Sequence, residues 1–296
     1  MAVEKVSANG IELAYETFGA TSNQPLLLVM GLATQMLAWH DDFCADLVDR
    51  GFHVIRFDNR DIGLSTHLAD APPPDLMAAF AGDTSSASYT LEDMADDAVG
   101  LLDALDIGSA HLVGASMGGM IAQTVAIRHP ARVRSLTSIM STTSPDVGGP
   151  TEEAMALLFA PPATNRDEAV ERSVNTYRII GSPAYPLDET WLRSIAGTSY
   201  DRSYDPMGVA RQLLAVQASG DRGPALSKVT IPTVVIHGEV DPLVQVDGGR
   251  ATAAAVPDAA LLVLPGMGHN LPRELWPTIS DAISAVAERG EKARIG

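Results

Sequence analysis

Gly114-Ala115-Ser116-Met117-Gly118-Gly119 is the stretch on which the rest of the chain is read. Ahead of it lies a short apolar run, Ala110-His111-Leu112-Val113, and behind it an apolar stretch passes through Met120, Ile121, Val125 and Ile127 to a stop at His129-Pro130. A strand therefore runs straight into a helix, with Ser116 at the apex of the turn. Glycine two residues to either side leaves room where a side chain would collide with neighbouring backbone as the hydroxyl is thrust outward. The start of the helix also directs amide N–H groups at the point where negative charge would develop in acyl transfer. A glycine-bracketed serine alone is an ordinary turn; flanked by strand and helix, Ser116 reads as a nucleophile.

Working outward, Leu26 to Met30, His53 to Phe57, Val234 to Ile236 and Ala260 to Leu264 are short apolar runs, as expected of parallel strands covered on both faces. Tyr89 to Leu105 places Leu91, Met94, Ala98, Leu101, Leu102 and Leu105 at helical spacing, with Thr90 and Asp93 or Asp96 to open the helix. The alternation implies a doubly wound parallel sheet. Near the start, Asn9-Gly10 precedes Ile11, Leu13 and Tyr15 alternating with Glu12, Ala14 and Glu16, a hairpin leading into a half-buried antiparallel strand. Two stretches break the rhythm. His67 to Ser88, with Pro72-Pro73-Pro74, reads as a long surface loop holding at most one helical turn around Leu76 to Phe80. Residues 151–220 carry helical patches at Thr151 to Phe159, Arg166 to Ile180, Asp188 to Ile195 and Gly208 to Gln217, and no strand-like run. They are expected to form a helical cap outside the sheet, leaving 1–150 and 221–296 as the core; the tail after Arg289 is expected to fray.

A serine hydroxyl is a poor nucleophile at neutral pH and needs a base held by an acid. His269, in Pro265-Gly266-Met267-Gly268-His269-Asn270, sits on a glycine-bracketed loop just after the last apolar run and can reach over the carboxyl edge of the sheet. The other histidines have blander readings: His53 and His111 lie within strands, His129 ends a helix, His40 and His67 lie on or beside loops, and His237 ends a strand. Asp241, in His237-Gly238-Glu239-Val240-Asp241-Pro242, follows the penultimate strand and can hold the imidazole; Glu239 and Asp247 compete on proximity alone. Backbone donors for an oxyanion are expected at Met117 and, after the sharp turn at Gly31, at Leu32. Neither a cofactor nor a metal is expected.

The 296 residues include 37 acidic against 20 basic ones, net charge −17, so phosphate backbones and anionic membrane surfaces should repel the chain and nucleic acid is not an expected partner. The single cysteine, Cys44, excludes an internal disulfide framework and fits a partly buried residue of a reducing compartment. The first residues lack the apolar core of a signal peptide, and the longest apolar runs fall far short of the ~18 residues that span a bilayer. A cytoplasmic protein without membrane insertion is expected. Its partner is a small-molecule ester, and a homodimer is allowed for.

The order Ser116, Asp241, His269, with its elbow and cap, resembles the α/β-hydrolase fold superfamily over nearly the whole chain. That resemblance implies a mostly parallel eight-stranded sheet flanked by helices, with the helical cap inserted before the last two strands. Within the superfamily, Leu28-Val29-Met30-Gly31, the stretch from His53 to Ser65 and Pro265-Gly266-Met267-Gly268-His269-Asn270-Leu271-Pro272 are similar to aclacinomycin methylesterases and related bacterial carboxylesterases. Met30 stands where that pattern commonly has His, and Asp61 where it has Gly; both leave the backbone donors in place. The segment from Asp58 to Ser65 reads as support for the floor of the site. The resemblance implies a serine carboxylic-ester hydrolase acting on small to medium acyl or methyl esters through an acyl-enzyme. Cofactor-free perhydrolase or haloperoxidase-like chemistry and carbon–carbon bond hydrolysis use the same three residues, and a non-catalytic ligand receptor is the distant alternative. Met155, Leu157, Leu158, Phe159, Tyr177, Ile180, Trp191, Leu192 and Tyr200 of the cap are candidates for an apolar pocket, though apolar residues at helical spacing more often pack a core.

Overall fold

A computed structural model describes residues 3–295. In chain order the strands are Glu4–Ala8 (β1), Ile11–Phe18 (β2), Gln24–Val29 (β3), Phe52–Phe57 (β4), Ala110–Ala115 (β5), Val133–Ile139 (β6), Thr233–Gly238 (β7) and Ala260–Leu264 (β8). The helices are Asp41–Asp49 (α1), Leu76–Phe80 (α2), Leu91–Ala104 (α3), Met117–Arg128 (α4), Glu152–Leu158 (α5), Arg166–Ile180 (α6), Glu189–Arg202 (α7), Pro206–Ala218 (α8), Gly223–Leu226 (α9), Val246–Ala255 (α10) and Trp276–Ile295 (α11). All eight strands form one sheet in the order β1-β2-β4-β3-β5-β6-β7-β8, antiparallel at β1-β2 and β2-β4 and parallel from β4 onward. This is the α/β-hydrolase architecture the resemblance implied, with α5 to α8 leaving the sheet after β6 and the chain returning at β7.

Successive residues of one strand go to opposite faces. Leu27 and Val29 of β3 join a core with α3 and α4 residues such as Leu101 and Ile121, whereas Leu26 and Leu28 join a second core with Phe43 and Leu47 of α1 and Ile279 and Ile283 of α11. Burial on both faces explains the unbroken apolar runs. Asn9 and Gly10 both take positive φ, +48° and +78°, as the tight turn between β1 and β2 requires. The capping of α3 resolves the choice at its start, since the Thr90 N–H donates to Asp93 Oδ2 at 2.8 Å while Asp96 contacts His129 Nε2 at 2.6 Å.

Several expectations change. β2 is not simply half-buried, because it is paired on both edges and its Glu16 is sealed in a salt bridge to Arg56 at 2.5 Å. β6 escapes the apolar-run reading because Arg134, Ser135, Thr137 and Ser138 interrupt it; Ser135 and Ser138 are buried nonetheless, hydrogen-bonded to His111 and Gln123. α7 extends past Ile195 to Arg202, whose guanidinium donates to buried Asp58 at 2.9 Å, so a tertiary contact carries the polar end of the helix. The expected fraying after Arg289 is replaced by helix to Ile295, with Glu291 contacting Arg134 at 3.2 Å. Cys44 is fully buried, and desolvation pushes its thiol up to about 12. Among the described residues no helix is long and apolar enough to cross a membrane.

His111 on β5 offers a test of this packing. It is buried, it shares a 2.8 Å hydrogen bond with Ser135 Oγ, and its ring edge meets Phe52. Burial foremost holds its pKa down to about 4, with the Glu291 carboxylate opposing and Arg134 reinforcing the shift. The unfolded chain, with an ordinary imidazole near ~6.5, therefore binds the extra proton first. Stability is full above that ordinary value and falls as pH drops through the interval down to about 4, by at most about 3 kcal/mol. Urea denaturation at stepped pH is expected to show this fall, and His111→Gln to flatten it.

Candidate active site

The site is built where β5 gives way to α4. Ser116 occupies the left-handed region at φ +56° and ψ −124°, which lifts its side chain clear of the sheet. The strain is held by close backbone approach: a Cβ on Gly114 would lie 2.1 Å from the Gly118 carbonyl oxygen, and one on Gly118 would lie 2.1 Å from that of Val29. No residue with a side chain fits either position.

The three side chains picked out in the sequence come together over the carboxyl edge of the sheet. His269 Nε2 lies 2.9 Å from Ser116 Oγ, and His269 Nδ1 lies 2.7 Å from Asp241 Oδ2. An ionised Asp241 only accepts, so Nδ1 carries the ring proton and Nε2 is left to accept from the serine hydroxyl. The other carboxylate oxygen of Asp241 accepts from the N–H groups of Leu243 and Val244, both at 2.9 Å. Asp241 and His269 are buried; Glu239 and Asp247, the competing acids, are exposed, and Asp247 pairs with Arg250 at 2.9 Å. His237 braces the acid loop, its Nε2 2.7 Å from the Val244 carbonyl oxygen, and burial holds its pKa down, which keeps it neutral beside Asp241.

The turn after β3 packs on the serine, since a Cβ at Gly31 would stand 3.0 Å from that of Ser116. Four contacts secure this turn. Asn59 Nδ2 donates to the Met30 carbonyl at 2.9 Å, and Thr34 Oγ1 donates to the Leu32 carbonyl at 2.9 Å. The Ala33 N–H donates to Gln212 Oε1 at 3.2 Å, and the Met36 N–H to Asp58 Oδ1 at 2.8 Å. Among the described residues the Leu32 and Met117 N–H groups find no hydrogen-bond partner. Asn59 lies in the Asp58 to Ser65 segment read from the sequence as support for the floor of the site, whereas Gln212 went unnoticed because nothing local marks it; only the fold brings it to the turn.

Ser116 and His269 open on a cavity of about 1140 Å³ between the sheet edge and α5 to α8. Of the nine residues between 151 and 220 considered in the sequence, all but Met155 line it, with Ile180 and Leu192 among them buried as well. Across from α5 to α8 the wall of the cavity is apolar too, with Met30, Met117 and Met140 among its residues. Away from the serine, Asp61, His67 and Asp205 bring ligand-type atoms within 4.8 Å of one another. Arg211 already donates to both oxygens of Asp61 at 2.8 Å and lies 3.4 Å from Asp205, so this donor set is an ion-pair network and does not suit a cation.

Comparison with known proteins gives the arrangement its context. The chain is 27% identical to rhodomycin D methylesterase DauP of Streptomyces sp. strain C5, over 96% of this chain and 98% of that protein. It is 28% identical to rhodomycin D methylesterase DnrP of Streptomyces peucetius, with the same coverage of 96% and 98%. Among solved structures, the enol-lactonase from Burkholderia xenovorans LB400 shares the fold with a TM-score of 0.75 at 22% identity, covering 96% of this chain and 99% of that one. Residues 24–272 match the family model of the alpha/beta hydrolase fold, and the chain belongs to that family.

Proposed function

We propose that the protein is a serine carboxylic-ester hydrolase, with Ser116 as nucleophile, His269 as general base and Asp241 as the acid that orients it. The hydrogen-bonded line Ser116, His269, Asp241 opening on an apolar cavity is the observation that carries this reading. In this scheme Ser116 Oγ attacks the ester carbonyl as its proton passes to His269 Nε2, and the Leu32 and Met117 N–H groups stabilise the oxyanion. Collapse of the tetrahedral adduct breaks the carbon–oxygen bond to the alcohol, which leaves with the proton from His269. Water then attacks the acyl-enzyme by the same route and frees the acid and Ser116. Residues 151–220 act as a cap over a core made of 1–150 and 221–296, and the work requires no metal or cofactor.

Similarity to the two methylesterases favours a methyl or other small alcohol as the leaving group. A cavity of about 1140 Å³ is generous against the roughly 300–1,000 Å³ of common ligand pockets, which favours an apolar acyl part larger than acetate. Each added methylene gains ~0.8 kcal/mol, about fourfold in kcat/KM, until the apolar walls are reached.

Ser116→Ala is expected to fold normally by circular dichroism and to lose at least about 10³-fold in kcat on an activated ester, because nucleophile and base act as a unit. Since only the neutral imidazole accepts the serine proton, kcat/KM is expected to fall about tenfold per pH unit on the acid limb. Across p-nitrophenyl esters, kcat/KM is expected to rise to about eight acyl carbons and to have declined by sixteen. A rise that continues, with activation at an oil–water interface, marks an open lipase groove. Wild-type protein that cleaves no ester yet halogenates with peroxide, or splits a carbon–carbon bond, assigns the same residues to the alternative chemistries.

A further inference from the structure

The cap makes polar contact with the loops of the site at more than one place: the His269 N–H donates to the Ile180 carbonyl at 2.6 Å and the Gly268 N–H to Ser182 Oγ at 2.8 Å, while on the far side Gln212 meets the turn after β3. Gln212, on α8, is completely buried, and both ends of its carboxamide are engaged across the seam between cap and core. Oε1 accepts from the Ala33 N–H at 3.2 Å and Nε2 donates to the Arg60 carbonyl at 2.8 Å. Ala33 follows Leu32 directly and sits in the left-handed region at φ +61°, a conformation that disfavours a residue with a Cβ by about 1 kcal/mol. The peptide between Leu32 and Ala33 thus presents one group to the cap, the Ala33 N–H, while its carbonyl is held by Thr34 Oγ1 and the preceding Met30 carbonyl by Asn59. Asn59 and Arg60 are neighbours, so the same core loop that grips the turn from one side also receives Gln212 from the other.

From this we infer that Gln212 is a positioning residue: it holds the strained Leu32-Ala33 turn so that the Leu32 N–H meets the developing oxyanion, and it makes that donor depend on the docking of the cap. The inference rests on the proposed role of Leu32. Neighbouring contacts fit it. Arg211, one residue earlier on α8, grips Asp61, and Gln35 of the turn's far end receives Arg202 Nη1 at 2.6 Å while its own amide donates to the Ser199 carbonyl at 2.8 Å. Cap helices α7 and α8 are therefore tied to both sides of the turn, but Gln212 alone among these contacts reaches the residue adjoining the donor. A gap or shift at Gln212 lets Ala33 relax toward ordinary φ and swings the preceding N–H with it. Substrate binding, made by the apolar walls, is untouched.

Gln212→Met keeps the length of the side chain and removes both hydrogen bonds. It is expected to lower kcat on a p-nitrophenyl ester about 10- to 100-fold with KM within about twofold of wild type, short of the ~10²–10³ that follows complete loss of a donor. Inhibition by a trifluoromethyl ketone, whose adduct with Ser116 places an oxyanion at the same point, is expected to weaken in parallel with kcat, while inhibition by the carboxylic acid product is unchanged. Gln212→Glu keeps an acceptor for the Ala33 N–H and is expected to recover part of the loss; it also carries the test if Gln212→Met does not fold. Unchanged kcat and ketone affinity in the folded variant overturn the inference, as does a rise in KM alone, which marks a cap-docking role only. Ser116→Ala, run alongside, separates the two levels: if it retains turnover, the assignment of the site has failed, whatever Gln212→Met does.

Discussion

Where β5 meets α4, backbone lies against backbone with no room for a side chain, and the rest of the molecule is arranged around that contact. The carbonyl of Val29 on β3 and the amide plane at Gly118 on α4 approach so closely that strand β3, strand β5 and the helix are locked at one spacing. Ser116 is driven into a left-handed conformation that costs of order 1–3 kcal/mol. That cost is offset by the two cores, which clamp the elbow from both faces of the sheet. Because strands β3 to β8 run parallel, their carboxyl ends all finish on the same edge, and the loops after β3, β5, β7 and β8 deliver Leu32, Ser116, Asp241 and His269 to one place.

What a sequence can reveal follows from the range of the forces involved. The elbow, the apolar strands and the helix caps are local patterns, so β8 and α6 could be read to the residue, and Asp241 and His269, which the fold brings to Ser116, could be singled out by their places after successive strands. β6 could not, because its buried serines are satisfied by His111 and Gln123, partners from other elements. The end of α7 depends on Asp58, far away in the chain. Cap residues at helical spacing look alike whether they face a core or a cavity, and only the shape of the opposite wall decides. Gln212 is the extreme case: an unremarkable glutamine in an apolar helix whose two partners are backbone groups of distant loops.

The seam under the cap also shows how a chain of net charge −17 uses its few cations. Arg202 with Asp58 and Arg211 with Asp61 are placed where both carboxylates are wholly buried. Burial by itself drives the Asp58 carboxyl up, and Arg202 with the N–H groups of Leu64 and Met36 pulls against that shift. Pairs of this kind add little net stability over apolar packing, yet removing one partner strands a charge, which costs roughly 3–5 kcal/mol. They define how α7 and α8 sit on the core: displaced by one helical turn, Arg211 would lose its fork-shaped fit to Asp61, and Arg202 its bonds to Asp58 and Gln35.

The one thiol of the chain, Cys44, lies sealed between α1 and the sheet, with a pKa raised far above neutral. Maleimides and iodoacetamides react with thiolate, and this sulfur offers them neither charge nor access. The native protein is therefore chemically silent toward such reagents. A cysteine introduced on the outer surface of α6 or α7 would be the sole point of attachment for a fluorophore or spin label, and the position of the cap relative to the sheet could be followed in solution without first removing a natural residue.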